Sequence, residues 1–390
     1  MALTATTSSI GQVRVARVER TVASATPATS DEGDAHGARE ERPVTHAPAV
    51  PSTLAATPPG VPETARSPSS AHVARESPAR ATDGERGLWP ALADAAAITR
   101  FHILLIGAVA AVVFGWLMTD RYLWAAGGLA GLDWFLINLM NRVTDIDEDR
   151  QNGIRGTERV ARARTAITVG SFALLIGSIV ATHVLWPSVT PWRVAVQVIG
   201  LAYNYRLVPT PRGWSRFKEI YFFKNFGSSV LFVLTCFVYP LAIASDDGLA
   251  RVLDARAIVA LVLFFIPFEL TYEILYDLRD LEGDRALGVP TYPVVHGPRR
   301  ARQIIDGLLL GASMVLAAAV LAGWLGLREL LMLVAPAVQL VLYRRWWARG
   351  LTPRDCIVLT HVGTAQLVLF LVGTAVWQAA GLPAEVYLRW

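Results

Sequence analysis

Apolar segments long enough to cross a lipid bilayer recur through most of this chain, and this feature limits its fold more than any other. A helix of about 20 apolar residues spans the hydrocarbon core of a membrane. From about residue 97 onward, nine such segments follow one another at 97–119, 121–141, 164–186, 190–206, 220–244, 256–277, 303–325, 328–346 and 356–379. The sequence therefore predicts an all-α, polytopic membrane bundle of about nine transmembrane helices.

The composition agrees with a membrane protein. Hydrophobic residues make up 53% of the chain and charged residues only 17%, whereas soluble domains carry about a quarter. Cys236 and Cys356 both lie in apolar segments and have neither disulfide-framework nor metal-ligand spacing. The basic residues form short clusters between apolar segments instead of one basic patch, so we expect no nucleic-acid partner. No obligate protein partner is implied.

Residues 1–85 differ from the membrane domain that we place at 90–390. This N-terminal tail is rich in Ala, Pro, Ser and Arg and has no apolar periodicity. Such a segment cannot bury enough apolar surface to offset its conformational entropy, and we predict that it is disordered. Its basic, Ser/Thr-rich beginning also suits an organellar transit peptide, which remains the alternative.

Basic residues are distributed unequally among the predicted loops. The loops after the second, fourth, sixth and eighth apolar segments are rich in Arg and Lys, and the other loops are not. Because basic loops stay in the cytoplasm, we predict a cytoplasmic N-terminus and an external C-terminus. The expected location is a bacterial cell membrane, with an organellar membrane as the alternative.

The second apolar segment ends in NRVTDIDEDRQNG, which carries a row of oxygen ligands. Asn141, Asp145 and Asp149 are spaced four residues apart, so they line one face of a helix. Asp147 and Glu148 point elsewhere and are expected to be solvated. Carboxylates combined with water and phosphate oxygens suit Mg²⁺. The row therefore predicts a magnesium site at this helix end.

The sixth apolar segment ends in YEILYDLRDLEGDRALGVPTYPVVHG, which carries a second row. Asp280 and Asp284 are again four residues apart, and Asp277 lies about one turn earlier. The predicted orientation places this helix end on the same side of the membrane as the first row. Two carboxylate rows on one side, each beside basic loops, predict a site for cations and an anionic substrate.

The two helix ends also resemble each other. DEDRQNGIRGTERV and EGDRALGVPTYPVV share an Asp-Arg pair, a Gly three residues later, and then Ile or Val, Thr and Val. The register pairs Asp145 with Asp280, Asp149 with Asp284, Asn141 with Tyr276 and Arg142 with Asp277. We predict two pseudo-repeated groups of helices around a central cavity, into which both rows open.

These motifs resemble a known family. NRVTDIDED is similar to the NDxxDxxxD signature of the UbiA superfamily of intramembrane prenyltransferases, and YDLRDLEGDRALGVPTYPV resembles its second signature, DxxDxxxD followed by GxxTxPV. Arg142 stands where the family usually has Asp, so the first row has one carboxylate fewer. The resemblance implies Mg²⁺-dependent transfer of a prenyl group from an isoprenoid diphosphate to an aromatic, quinone-type or lipid acceptor, with release of diphosphate.

The resemblance also implies roles for the matching residues. Asp145 and Asp149 would bind one Mg²⁺, and Asn141 would be a ligand or donate to phosphate. The other Mg²⁺ would be bound by Asp277, Asp280 and Asp284. The segment YNYRLVPTPRGWSRFKEIYFFKN resembles the family's basic segment that closes over the diphosphate. Its candidates for binding diphosphate are Arg206, Lys218, Lys224 and Asn225, and for the basic ones the alternative is an anchor in a positive loop.

Two further acids, Glu269 and Glu273, lie at successive helical turns inward from Asp277. Ionisable groups at membrane depth are costly and usually face a cavity. Glu273 is interpreted either as the general base that takes a proton from the acceptor or as a buried acid bonded to another helix. For Glu269 we expect the structural role.

Two other functions share parts of this pattern. A terpene cyclase of the same type would let the prenyl cation react with its own chain. A proton-coupled transporter would also combine internal repeats with acids in the membrane. However, the acids cluster at helix ends on one side, and no pair of Gly/Pro-broken half-helices marks a central substrate site.

Overall fold

The structure is a computed structural model that describes residues 88–382 except 152 and 212, together with residues 386–388. The tail predicted at 1–85 lies outside these residues. The described part contains fifteen α-helices and one two-stranded hairpin. The α-helices are α1 (Leu88–Ile98), α2 (Phe101–Thr119), α3 (Trp124–Thr144), α4 (Ile146–Gln151), α5 (Thr157–Arg162), α6 (Arg164–Leu185), α7 (Thr190–Asn204), α8 (Phe223–Val233), α9 (Tyr239–Asp246), α10 (Ala255–Arg279), α11 (Leu281–Ala286), α12 (Tyr292–His296), α13 (Pro298–Leu321), α14 (Val334–Arg349) and α15 (Pro353–Ala379).

Each of the nine predicted apolar segments corresponds to a helix of the described chain. They are α2, α3, α6, α7, α8 with α9, α10, α13, α14 and α15, and a π-helical turn at Leu234–Val238 joins α8 to α9. In six of these segments, the helix is long and apolar enough to cross a membrane: α2, α6, α8 with α9, α10, α13 and α15. The all-α polytopic fold is confirmed.

Apolar side chains point outward from several of these helices. In the most apolar part of α6, only 17% of the residues are buried. Its exposed residues include Val169, Ile176, Val180 and Val184. A contiguous exposed apolar surface of this kind marks contact with a membrane or another protein. On a helix of this length, it fits contact with lipid.

Small residues allow α2 and α3 to pack closely. A Cβ atom on Gly127 would lie 2.6 Å from a methyl group of Val112 and 3.0 Å from the carbonyl oxygen of Ala108. A Cβ atom on Gly107 would lie 2.9 Å from the ring of Trp134. Close packing through glycine is typical of membrane helices. It fixes α3, which carries the first carboxylate row at its end.

A buried ion pair joins α3 to α7. The side chains of Asp133 and Arg193 are both 0% exposed, and Arg193 Nε donates to Asp133 Oδ2 at 3.0 Å. The hydroxyl of Tyr239 and the amide of Gln197 also donate to this carboxylate, at 2.7 and 2.9 Å. A charge buried in a membrane helix needs such partners. Asp133 therefore has the structural role that its hydrogen bonds indicate.

A hairpin and a short turn connect α7 to α8. The strands β1 (Val208–Thr210) and β2 (Gly213–Ser215) pair antiparallel. A 3₁₀ turn at Phe217–Glu219 follows, and α8 begins at Phe223. This connection lies in the basic segment that the sequence singled out, and it brings Lys218 to a buried position.

Candidate active site

The two carboxylate rows sit on matching helix ends. Asp145 is the residue that caps the C-terminus of α3, and Asp280 caps the C-terminus of α10. A helix of six residues, α4 or α11, follows each of them. The pairing of Asp145 with Asp280 that the sequence predicted is thus reproduced in the backbone.

The match continues to the end of each segment. The amide of Asp149 donates to the carbonyl of Asp145 at 2.8 Å, and that of Asp284 donates to the carbonyl of Asp280 at 2.9 Å. Each short helix is followed by a glycine with a left-handed backbone, Gly153 at φ 62° or Gly288 at φ 67°. Glycine adopts this conformation without the steric cost that a Cβ atom brings. The internal repeat is therefore a repeat of backbone conformation as well as of sequence.

Both segments border one large cavity of about 1050 Å³. One end of it, the carboxylate end, is lined by Asn141, Asp145, Glu148, Asp277, Asp280 and Asp284. The opposite part, the aromatic end, is lined by Phe114, Trp134, Phe232, Phe264, Phe265 and Phe370. Along α10, Phe264 and Asp277 are thirteen positions apart, which at 1.5 Å per residue is about 20 Å. The cavity thus joins a charged end to a long apolar interior.

Asp145 is the most heavily bonded carboxylate of the first segment. It is 6% exposed and accepts hydrogen bonds from the amide of Asn141 at 2.5 Å, from Arg216 at 2.9 Å and from Lys218 at 2.5 Å. Lys218 also donates to Glu148 at 3.1 Å. The first segment thus presents two acids to the cavity, and one buried lysine links them.

Asp149 faces a different environment. Arg142 donates to it at 2.9 Å and also to the carbonyl of Ala97 at 2.9 Å, and Asp149 is not among the residues that line the cavity. Burial raises the pKa of Asp149, while the charge of Arg142 opposes that shift. The structure therefore separates Asp149 from Asp145, although the sequence placed both on one helix face.

The second segment keeps its carboxylates together through one lysine. Lys224 Nζ lies 2.9 Å from Asp277 Oδ1 and 3.3 Å from Asp284 Oδ2. Asn225 donates to the other oxygen of Asp277 at 2.7 Å. Burial raises the pKa of Asp284 to about 6, and the charge of Lys224 opposes that shift. Asp280 is more open, at 34% exposed, and pairs with Arg279.

The acids inward from Asp277 also face this cavity. Glu269 and Glu273 both line it. The hydroxyl of Ser228 on α8 lies 2.9 Å from Glu273 Oε1 and 3.3 Å from Glu269 Oε1, and Ser229 contacts the other oxygen of Glu269. Two carboxyl groups are thus positioned between the carboxylate end and the aromatic end.

The sequence profile of the UbiA prenyltransferase family matches residues 101–360. The chain belongs to the UbiA prenyltransferase family. It is therefore an integral membrane prenyltransferase, and its fold is the polytopic helical fold of that family.

One relative of known name and one homolog of known structure are similar to this chain. The chain is 27% identical over 282 residues to a digeranylgeranylglyceryl phosphate synthase from Haloquadratum walsbyi (strain DSM 16790 / HBSQ001), covering 72% of this chain and 85% of that protein. A UbiA homolog from Archaeoglobus fulgidus bound to DMAPP and Mg²⁺ superposes with a TM-score of 0.54 at 18% identity, covering 73% of this chain and 98% of that one. The same homolog bound to GPP and Mg²⁺ gives a TM-score of 0.53 at 17% identity, with coverages of 73% and 99%.

The structure assembles most of the UbiA site residues that the sequence named, but not Arg206. That residue is 69% exposed, pairs with Glu219 at 3.4 Å and does not line the cavity. Arg216, ten residues later in the same basic segment, reaches Asp145 instead. The composition of the segment indicated that it supplies basic side chains to the site. Which arginine reaches Asp145 depends on the fold of the hairpin between the two.

Among the cavity residues of this UbiA chain that were not predicted are two charged ones, Glu148 and Arg100. Glu148 was expected to be solvated, yet it lines the cavity because α3 ends before Asp145 and α4 begins after it, which interrupts the helical phase. Arg100 lies in a left-handed backbone at φ 48° just before α2 and also lines the cavity. Its side chain has no ion pair or hydrogen bond with any residue in the described part of the chain. In the sequence, Arg100 is a single arginine before an apolar segment, and nothing there indicated that it would line the cavity.

Proposed function

We propose that this protein transfers a prenyl group from an isoprenoid diphosphate to an aromatic, quinone-type or lipid acceptor in a Mg²⁺-dependent reaction that releases diphosphate. The observation that carries the proposal is the single cavity with two repeated carboxylate segments at one end and an aromatic interior at the other. An amphiphilic diphosphate has this same division into a charged head and an apolar chain.

The aromatic end suits the prenyl chain. By the helical rise, Phe264 at this end lies about 20 Å from Asp277 at the carboxylate end. An extended polypeptide advances roughly 3.5 Å for every three backbone bonds. An isoprene unit has four bonds along its chain and therefore advances slightly more. About four isoprene units then cover the distance between the two ends of the cavity. The Archaeoglobus homolog bound to DMAPP or GPP supports a prenyl diphosphate as substrate.

The residues of the carboxylate end fit Mg²⁺, because they are hard oxygen donors. Among the described residues, no three Asp, Glu, His or Cys side chains converge closely enough to hold an ion. Mg²⁺ commonly takes several of its ligands from water and substrate phosphate, so only one or two carboxylates have to reach each ion. The Archaeoglobus homolog bound to Mg²⁺ supports the same cofactor here.

We assign the ligands by segment. The second segment would hold one ion through Asp277, Asp280 and Asp284, whose side chains would have to draw together around it. The first would hold the other through Asp145 and Asp149, for which Asp149 would have to exchange Arg142 for the cation. Bound Mg²⁺ would stabilise the negative charge that develops on the leaving diphosphate.

The basic side chains would bind the diphosphate oxygens. Lys218 and Lys224 neutralise carboxylates of the two segments, at 2.5 and 2.9 Å, and Arg216 donates to Asp145, the carboxylate that Lys218 also contacts. If cations bound the carboxylates, these ammonium and guanidinium groups would become available to phosphate. Asn141 and Asn225, whose amides donate to Asp145 and Asp277, are further donors.

Glu273 would be the general base. The bond between the prenyl C1 atom and the diphosphate oxygen breaks with its electrons on oxygen, and C1 bonds to the acceptor. The acceptor proton passes to Glu273, which lines the cavity one turn inward from Asp277. The guanidinium of Arg100 suits an anionic group on the acceptor, and the Haloquadratum relative named as a glyceryl phosphate synthase supports a lipid acceptor.

The test is release of diphosphate from a panel of prenyl diphosphates, with and without Mg²⁺, in the presence of aromatic, quinone-type and lipid acceptors. We expect Mg²⁺-dependent release together with a prenylated acceptor. Formation of a cyclic hydrocarbon with no acceptor added would replace this proposal by the terpene cyclase alternative. The transporter alternative has no support, since the chain belongs to a family of transferases.

We also propose that the carboxylate end faces the cytoplasm, in a bacterial cell membrane. The support is the charge of the loops after the second, fourth, sixth and eighth apolar segments. Both native cysteines are buried, so an introduced cysteine reports its own accessibility. We expect external labelling of Arg251→Cys but not of Arg299→Cys, and the opposite pattern would reverse the orientation.

A further inference from the structure

Ser228 lies between the two buried acids of α10 and cannot donate a hydrogen bond to both. Its Oγ atom is 2.9 Å from Glu273 Oε1 and 3.3 Å from Glu269 Oε1. A serine hydroxyl carries one proton, whereas an ionised carboxylate only accepts. If Ser228 donates to one acid, the other contact is a hydrogen bond only when that acid carries a proton and donates it to Ser228. A proton on one of the two acids satisfies both contacts of Ser228.

The surroundings decide which acid holds that proton. Glu269 is 6% exposed, its two oxygens contact only Ser228 and Ser229, and it has no ion pair with any described residue. Glu273 lies one turn nearer the carboxylate end, where Asp277 opposes a negative charge on it but Lys224 and Arg100 favour one. An isolated buried carboxylate is far more costly than a protonated acid. The proton therefore belongs on Glu269 and the negative charge on Glu273.

We infer that Glu269 is a protonated positioning residue, which donates to Ser228 and thereby directs the Ser228 hydroxyl to Glu273, the anionic base. This inference rests on the proposed function for the role of Glu273. Glu273 Oε1 accepts from Ser228, while no described residue bonds its Oε2 atom. That free oxygen can accept the acceptor's proton, and the proton on Glu269 stays where it is throughout the reaction.

The protonation state can be tested without any activity. Infrared spectra of the full-length protein in detergent show the carbonyl band of a protonated carboxyl group, which shifts in D₂O. The spectra are recorded at mildly alkaline pH, because Asp284, with a pKa of about 6, is then ionised. We expect Glu269→Gln to remove a band that Glu273→Gln retains. A band that Glu273→Gln removes and Glu269→Gln retains overturns the inference, and so does its absence from the wild type.

Activity then tests the positioning role. Glutamine at 269 can still donate to Ser228, so Glu269→Gln should lower transfer to the acceptor by less than about threefold, whereas Ser228→Ala and Glu269→Leu should lower it by about 10- to 100-fold, part of the usual effect of a general base. Ser313→Ala is the control, because that hydroxyl bonds only the carbonyl of Leu309 within its own helix. Loss of transfer in Glu269→Gln equal to that in Glu273→Gln would contradict the inference. Absence of acceptor-dependent product from the wild type would instead contradict the proposed function, and the infrared assignment would still decide the inference.

Discussion

The two carboxylate segments of this protein share a backbone but differ in charge. Asp145 and Asp280 end their helices alike, and Gly153 and Gly288 end the short helices that follow. The aligned position one turn before the first aspartate differs, because it is Arg142 in one segment and Asp277 in the other. A guanidinium thus stands in one half of the repeat where the other half has a third carboxylate.

This one difference changes how each segment is neutralised. Arg142 holds Asp149 within the first segment, so an internal cation already balances that acid. In the second segment, Asp277 and Asp284 depend on Lys224 from another helix. A repeated backbone therefore does not make two equivalent cation sites. The second segment lines the cavity with the carboxylates of Asp277, Asp280 and Asp284, and the first with those of Asp145 and Glu148.

The largest expected effect is loss of turnover when a cavity carboxylate is removed. We predict that Asp280→Ala and Asp145→Ala each lower kcat/KM by about 10³-fold or more, as expected when charge stabilisation of the transition state is lost. Diphosphate release at saturating Mg²⁺ measures this, and size-exclusion elution in detergent checks that each variant folds. Retained turnover in either variant would sink its assignment as a metal ligand.

A second prediction separates stability from activity at the aligned pair Asp149 and Asp284. Asp149→Asn removes the negative charge that pairs with Arg142, whose side chain is 8% exposed, and leaves it only neutral acceptors such as the carbonyl of Ala97. Breaking a buried pair in this way costs about 3 kcal/mol of the free energy of unfolding. In Asp284→Asn, Lys224 still pairs with Asp277, so we expect a smaller loss of stability and a larger loss of activity.

Denaturant titration in detergent and turnover at saturating Mg²⁺ measure these two quantities on the same preparations. Equal losses of stability in both variants would show that Asp149 does not depend on the charge of Arg142 more than Asp284 depends on the charge of Lys224. The comparison of the two segments would then have to rest on geometry alone.

The third prediction concerns the lysines that neutralise each segment. Lys218→Met and Lys224→Met should each raise KM for the prenyl diphosphate and lower kcat/KM by about 10²-fold, since both ammonium groups are proposed to bind developing negative charge. Arg206→Met is the matched control from the same basic segment. Its exposed pair with Glu219 is worth about 1 kcal/mol at most, so its kinetics should stay close to the wild type. A loss in Arg206→Met equal to that of the lysine variants would restore the sequence-based assignment.

The sequence predicted the helices better than the site because membrane spans have a strong local signal. Each of the nine long apolar segments corresponds to a helix of the described chain, six of them long and apolar enough to cross a membrane. The repeat predicted the pairing of Asp145 with Asp280. The site depends on where helices stop. Asp149 was placed beside Asp145 by assuming one continuous helix, whereas α3 ends at Thr144 and α4 starts at Ile146. In the structure Asp149 pairs with Arg142 and does not line the cavity, which the spacing of four residues did not indicate.

The contacts between distant segments also could not be predicted from the sequence. Nothing local distinguishes Arg206 from Arg216, and only the hairpin between them brings Arg216 to Asp145. The same holds for Ser228, which meets Glu273 because α8 packs against α10. Such pairs are determined by tertiary packing, so a single sequence carries no periodic signal for them.

The smallest expected effect tests whether the two segments really share a backbone. Gly153 and Gly288 have φ values of 62° and 67°, and a Cβ atom on either would meet nothing within 4 Å. Alanine there adds backbone strain but no clash, and a left-handed residue with a Cβ atom costs about 1 kcal/mol or slightly more. We therefore predict that Gly153→Ala and Gly288→Ala lower the free energy of unfolding by the same amount. Gly170→Ala in α6 is the control, because a Cβ atom there would also meet nothing within 4 Å. Alanine is more favourable than glycine in a helix interior, so this variant should not lose stability. Denaturant titration in detergent compares the three variants, and a clear loss at only one of the two turns would show that the repeat does not extend to the ends of the segments.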